Sequence, residues 1–342
     1  MDQHASTIAN AIKGSLDVIE QEREREIIAR RFGLNGQKET LEQIGELLSI
    51  TRERVRQLEK AILIRLRIAA ADGQITALPA AEKLIIRNLT ELGRVSRTAR
   101  LAKRIFGHDS TPVERAELTF LATISSALTV IDENDLYYPA IGIAEYGDAK
   151  TIRHRVDEIV TLIKQHKTPM TLDELDDQLN YEHPDHIKAI ASLSKQLASL
   201  NNLWGLSRWP SVNPRNIRDK IFVILEAKKE PMHFSEIADA IAESSFRRKN
   251  VTIQAIHNEL IKDPRFILIG RGIYALSAWG YTKGTVADII TSILKDAGQP
   301  LSREDIVRQV LRARKVKETT VLLNLQNKQL FKKVGKDSYT LA

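Results

Sequence analysis

Residues 40–67, TLEQIGELLSITRERVRQLEKAILIRLR, constrain this chain more than any other segment. Leu41, Ile44, Leu47 and Leu48 recur at helical spacing and define one apolar face. Gly45 is small enough to let a second helix pack closely. Ser49, Ile50 and Thr51 break the period, and Thr51 is placed to cap the next helix by accepting a backbone N–H bond. Val55, Leu58 and Ile62 then face inward, leaving Arg52, Glu53, Arg54, Arg56, Gln57 and Lys60 pointing outward from the first turns. This is the pattern of a helix-turn-helix, whose second helix enters a DNA major groove. Arginine and glutamine there donate paired hydrogen bonds to purine edges, and glutamate accepts from cytosine. The plainer reading of the same residues is a solvated helix laced by ion pairs one turn apart.

The upstream stretch QEREREIIARRFGLNG reads as a helix ended by Gly33 in a left-handed cap. Together, EREREIIARRFGL and TLEQIGELLSITRERVRQLEKAILIRLR resemble region 4 of the bacterial sigma-70 factors, including the TRERVRQLE signature. The resemblance implies a second half that binds a promoter element and a first half that helps dock on the β-flap of RNA polymerase. Carried over by position, it implies that Arg52, Glu53 and Gln57 read bases. It sets Arg31, Thr40, Thr51, Arg54 and Arg56 against phosphates, with Lys60 beside them. The connection between Phe32 and Thr40 is slightly shorter than in primary sigma factors. No segment resembles sigma region 2, so the expectation is not a complete sigma factor.

The chain has 342 residues, 43% of them apolar and 5% aromatic, so several aliphatic cores are expected. Its net charge of +7 is uneven: residues 281–342 carry 12 basic against 6 acidic side chains. That region is the electrostatic candidate for a polyanion. With no cysteine, disulfides and thiolate zinc sites are excluded. No apolar run approaches the roughly 20 residues that span a bilayer, and the N-terminus lacks a basic-then-apolar signal. The expected location is the bacterial cytoplasm, at the nucleoid.

Beyond residue 81 a unit recurs: a helix, a polar break, two more helices and two short extended stretches. The second-helix segments align on the apolar anchors Val95, Met170, Met232 and Leu301, each followed by a candidate N-cap. Alternating apolar residues around Asp, Asn or Gly turns close each unit as a hairpin. Three helices and a hairpin make a winged helix. The expected fold is therefore mainly α: a helix-turn-helix over 1–71, a linker over 72–81, and tandem winged helices over 82–146, 150–212, 213–281 and 282–342. In the third unit, PMHFSEIA and GRGIYALSAW resemble the HARE-HTH family, a winged helix also found in the RNA polymerase delta subunit and in some DNA-modification and restriction proteins. Its neighbours on either side look like diverged copies.

Basic side chains gather in the third and fourth units: Arg247, Arg248, Lys249 and Arg271, then Arg312, Arg314, Lys315, Lys317, Lys332, Lys333 and Lys336. They are candidate phosphate contacts, or a solvated basic face. The second unit's acidic run 173–177 would repel DNA. Trp204, Trp209 and Trp279 recur at the wing strands, where packing is expected over base stacking. No phosphate-cradling glycine loop occurs. His183 and His186 lack further ligands nearby, and Asp219, Glu226 and Lys228 imitate a nuclease core at too short a spacing. The sequence thus points to a non-catalytic protein with no metal or cofactor. Its partners would be double-stranded DNA and, by resemblance, RNA polymerase. The alternative is an adaptor subunit of a polymerase, restriction or DNA-defence complex that uses its winged helices to dock on protein.

Overall fold

Helical periodicity dictates most of the chain. A computed structural model describes residues 2–179, 181, 184–246 and 250–342, divided into an N-terminal unit, Met1–Arg208, and a C-terminal unit, Trp209–Ala342.

In the N-terminal unit, α1 (Asp2–Asp17), α2 (Glu22–Phe32), α3 (Leu41–Leu48) and α4 (Arg52–Ala71) precede α5 (Leu78–Glu91). A short strand β1 (Val95–Arg97) leads into α6 (Thr98–Phe106), α7 (Pro112–Ile124), β2 (Leu128–Ile131) and β3 (Ala140–Ile143). Gly33 ends α2 with φ 80°, its N–H donating to the carbonyls of Ala29 and Arg30, as the sequence predicts.

The stretch expected as a linker, residues 72–81, is instead packed. Ile75 and Leu78 are 2% exposed and Ala81 is fully buried. They belong to one continuous core that runs from Ile8 of α1 through Ile28, Ile62 and Leu66 to Leu101, Phe120 and Ile141. The correction has a simple physical cause. The helix-turn-helix keeps only a small core of its own, Ile27, Ile44 and Val55, and so few buried side chains cannot offset the entropy of ordering the segment. Its stability comes from α1, α5 and α7, with Phe32 set edge-on against Phe120 at 5.1 Å between ring centroids. Helix α1 escaped the sequence reading, because its apolar face is interrupted by Gly14 and Ser15.

A second winged helix follows: α8 (Ala149–His166), α9 (Leu172–Leu179), α10 (Pro184–Ala191), β4 (Leu197–Leu200) and β5 (Leu203–Leu206). It joins the first through the β2–β3 connection. There Tyr138 N–H donates to Leu193 O at 2.8 Å, Lys195 N–H donates to Leu136 O at 2.8 Å, and the Arg97 guanidinium stacks over Tyr138.

The C-terminal unit repeats the design twice. Its first half comprises α11 (Ile217–Lys228), β6 (Met232–His233), α12 (Phe234–Glu243), α13 (Ile253–Lys262), β7 (Phe266–Gly270) and β8 (Ile273–Leu276). Its second half comprises α14 (Val286–Ala297), β9 (Leu301–Ser302), α15 (Arg303–Ala313), α16 (Glu318–Leu325), β10 (Phe331–Val334) and β11 (Ser338–Leu341).

The recurring anchors turn out to be strand residues. Val95 pairs with Gly142, Met170 with Trp204, Met232 with Tyr274 and Leu301 with Tyr339. Each lies opposite the second hairpin strand and so completes a small antiparallel sheet. The polar residues behind three of the anchors are N-caps: Thr171, His233 and Ser302 accept from Glu174, Ser235 and Asp305 N–H. Trp204 is buried against its Met170 partner, in keeping with a packing role, and Trp279 packs on Ile267 and Ile269. Asp219 pairs with Arg265 at 3.2 Å, which gives the nuclease-like carboxylate a structural role at the start of α11. Of the His183 and His186 pair, His183 lies outside the described residues; the ring of His186 stands edge-on to Tyr146 at 5.4 Å.

Candidate nucleic-acid interface

The turn between α3 and α4 sets which side chains face outward. Thr40 and Gln43 form a reciprocal capping box at the start of α3. Ser49 takes a left-handed conformation, φ 54°, which reverses the chain. Gly45 is required there: a Cβ would lie 2.7 Å from the Ile50 carbonyl oxygen, so the helices could not close on each other. Thr51 then caps α4, its hydroxyl accepting from Arg54 N–H at 3.2 Å. Both threonine hydroxyls are exposed and keep a proton to donate outward.

With Val55 buried, Arg52, Glu53, Arg54, Arg56, Gln57 and Lys60 are all exposed, as the sequence predicts. They are not independent. Arg52 donates to Glu42 across the turn at 2.8 Å, and Arg56 grips Glu53 with bonds of 2.8 and 2.6 Å. Gln57 bridges Glu53 and Arg54 through two long contacts of 3.4 Å. The Arg52 hydrogen bond holds the Glu42 carboxyl below its ordinary range, and Arg56 does the same for Glu53. The Arg52 and Glu42 side chains are 72% and 60% exposed. Ion pairs in open water contribute little, so this network can exchange partners with a nucleic acid at small cost. Glu42 was missed by sequence reasoning, because the α3–α4 turn brings together residues ten positions apart.

Arg31 has a different setting from its neighbours. It donates to Glu59 at 3.1 Å and to the Glu39 carbonyl at 3.2 Å, tying α2 to α4 with its side chain 26% exposed. Arg23, also unforeseen, donates to the Leu48 carbonyl and caps the end of α3.

The winged helices present their cations elsewhere. The exposed side chains of α13 are Ile253, Gln254, Asn258, Ile261 and Lys262, so one cation sits in the last turn and none at the centre. On α16, Glu318, Thr319 and Leu323 are exposed, and the helix carries no cation. Helix α7 is held in the shared core by Leu118, Phe120 and Leu121. The exposed lysines and arginines of the fourth winged helix lie around α16 instead: Arg312, Lys315 and Lys317 before it, and Lys332, Lys333 and Lys336 on the hairpin. Because strand side chains alternate, Lys333 projects to the same side as buried Phe331, and Lys332 to the other. Arg271 is exposed at the tip of the β7–β8 hairpin. Arg247, Arg248 and Lys249 lie outside the described residues.

Arg314 must be withdrawn as a phosphate contact. It is 8% exposed, and its guanidinium donates to the Ile269 and Leu268 carbonyls at 3.1 Å each. Burial pushes its pKa down. The side chain points inward because Leu311 and Arg312 take the exposed face at the end of α15.

Two segments match known families. Residues 21–67 match the model of sigma-70, region 4, and residues 216–279 match HARE-HTH, the ASXL and restriction endonuclease HTH domain. RNA polymerase sigma factor SigA1 of Synechococcus elongatus is 50% identical over 46 residues, covering 13% of this chain and 12% of the relative. RNA polymerase sigma factor SigA of a Bacillus species is 41% identical over 75 residues, covering 19% and 20%. The chain therefore spans a fifth or less of the curated relatives it matches. The likeness is that of a helix-turn-helix module, joined here to winged helices.

Proposed function

We propose that this chain is a non-catalytic, sequence-specific double-stranded DNA-binding protein that acts in transcription at the bacterial nucleoid and reads a major groove with α4. One observation carries the reading. The first turns of α4 hold Arg52, Glu53, Arg54, Arg56, Gln57 and Lys60 in open solvent, on a scaffold fixed by two caps and a glycine-permitted turn. Arg52, Glu53 and Gln57 would face base edges; Thr40, Thr51, Arg54, Arg56 and Lys60 would flank them at phosphates. Arg31 would act mainly by holding α2 against α4. The lysines of the fourth winged helix would add salt-dependent grip farther along the duplex.

RNA polymerase is the protein partner that the sigma-like segment suggests. Ile28 and Phe32 of α2 already pack in the shared core, so α2 would meet a partner through its outer polar side. Sigma-like identity is confined to residues 21–67, so promoter opening is not part of the proposed role.

The test is selection of bound fragments from random duplex DNA, repeated with Arg52→Ala. A recurring short site is expected, and the substitution should cut discrimination at one base pair by roughly tenfold or more. Failure to select any site would refute sequence-specific reading. The adaptor reading is favoured by the cation-poor outer faces of α13 and α16. It predicts capture of a polymerase, restriction or defence complex by a chain that retains no duplex affinity.

A further inference from the structure

The two winged helices of the C-terminal unit are locked together along an edge of the third unit's sheet. In that sheet β8 is central and β7 is an edge. Lys315 N–H donates to the Ile269 carbonyl at 3.2 Å, beside the two bonds from Arg314. A Cβ on Gly270 would stand 2.7 Å from the Lys315 carbonyl oxygen, so the contact is a backbone-to-backbone fit.

Beside this junction lies an open groove of about 620 Å³, lined in part by Ile261, Leu268, Tyr274, Lys283, Asp288 and Arg314. Three features of it lack a counterpart. Ile261 and Leu268 are large apolar side chains 65% and 45% exposed at its rim. The Arg314 Nη1 is buried with no hydrogen-bond partner, and the guanidinium has no ion pair among the described residues. Lys262 and Lys283 also line it, and the two carboxylates nearby are already engaged: Asp263 by Arg265 at 2.7 Å, Asp288 by the backbone and hydroxyl of Thr285 at 2.7 and 2.8 Å.

We infer that this groove docks a protein segment in which an aspartate or glutamate lies next to a large apolar side chain. The carboxylate would sit among Arg314, Lys283 and Lys262, where shielding from water strengthens a charged hydrogen bond. The apolar neighbour would cover Ile261 and Leu268. Duplex DNA fits poorly, because a stiff phosphate backbone cannot reach a guanidinium set behind an apolar rim. A small free acid would leave most of that rim in water. The inference goes beyond DNA reading by α4 and does not depend on it.

The test is a phage-displayed library of random peptides about 12 residues long, selected on the full chain. Counter-selection uses the Leu268→Ser, Lys283→Glu double variant, both positions being exposed and so compatible with folding; equal melting midpoints would establish this. Sequences kept by the parent and lost on the variant should share an acid beside Leu, Ile or Phe. Changing that acid to its amide should weaken anisotropy-measured binding about tenfold or more. The proposal is overturned if no sequence discriminates, if the selected peptides are basic or uncharged, or if the amide binds equally well. It is also overturned if a 20-base-pair duplex or free 4-methylpentanoate displaces the peptide at a concentration near the peptide's own Kd. Loss of duplex selectivity by Arg52→Ala bears on α4 alone, so the two proposals fail separately.

Discussion

Replacing Phe120 by alanine tests whether the helix-turn-helix stands on its own core or borrows one. Phe120 is fully buried on α7 and meets Phe32 of α2 edge-on, with ring planes at 71°. Truncating a buried phenylalanine costs about 3–5 kcal/mol in lost transfer energy and residual cavity. Of this, about 0.5–1.5 kcal/mol belongs to the aromatic pair itself. For a cooperative unit of this size, each kcal/mol lowers the melting midpoint by roughly 2–4 °C, so a fall of about 6–20 °C is expected for the transition of the N-terminal unit. Differential scanning calorimetry reads the shift. Hydrogen exchange should accelerate together in α2, α5 and α7, which share the core, although Phe120 lies outside the sigma-like segment. A double-mutant cycle of Phe32→Leu with Phe120→Leu should return a coupling of about 0.5–1.5 kcal/mol. An unchanged exchange rate in α2, or a midpoint moved by less than about 2 °C, would refute the shared core and restore the linker over residues 72–81.

Three further outcomes follow from the same geometry. Replacing Lys332 and Lys333 together by alanine should reduce the slope of log affinity against log salt by about 0.9 instead of twice that, because the two project from opposite faces of the hairpin and one at most meets a phosphate; titrations across several salt concentrations on one duplex decide it. Thr51→Ala removes the cap of α4 and should cost about 1 kcal/mol of stability in urea unfolding, while weakening duplex binding more than that loss alone explains; equal affinity would mean that the α4 N-terminus is not at the interface. Tyr137 is pushed up to about 12, by burial first and then by its hydrogen bonds to Asp157. Its folded value exceeds the ordinary one near 10, so its contribution is complete below pH 10 and lost as pH rises toward 12. Tyr137→Phe should flatten that alkaline decline, and a decline unchanged in the variant would assign it elsewhere.

Local chemistry made much of the candidate site readable. The caps at Thr40 and Thr51, the left-handed ending at Gly33 and the inward register of Ile44 and Val55 depend on residues within a few positions of one another. The outward set on α4 follows by helical geometry. The anchors Val95, Met170, Met232 and Leu301 were visible as a repeat, but their role was not. A strand of two or three residues exists only through its partner, and that partner lies some 34 to 47 positions away, as in Met170 with Trp204 and Val95 with Gly142.

What the sequence alone determined is therefore the kind of module: helices of given phase, hairpins with given turns, and an exposed arginine-rich face. Tertiary structure alone decided how those modules depend on one another. Arg314 sits in a basic run and reads as one more surface cation, yet folding places it under the neighbouring sheet edge. Ile75 and Leu78 sit in a stretch that reads as a linker, yet they fill a core shared by elements from α1 to β3. Charge and period are properties of a segment, whereas burial is a property of whatever packs against it, and no segment encodes its neighbour's surface.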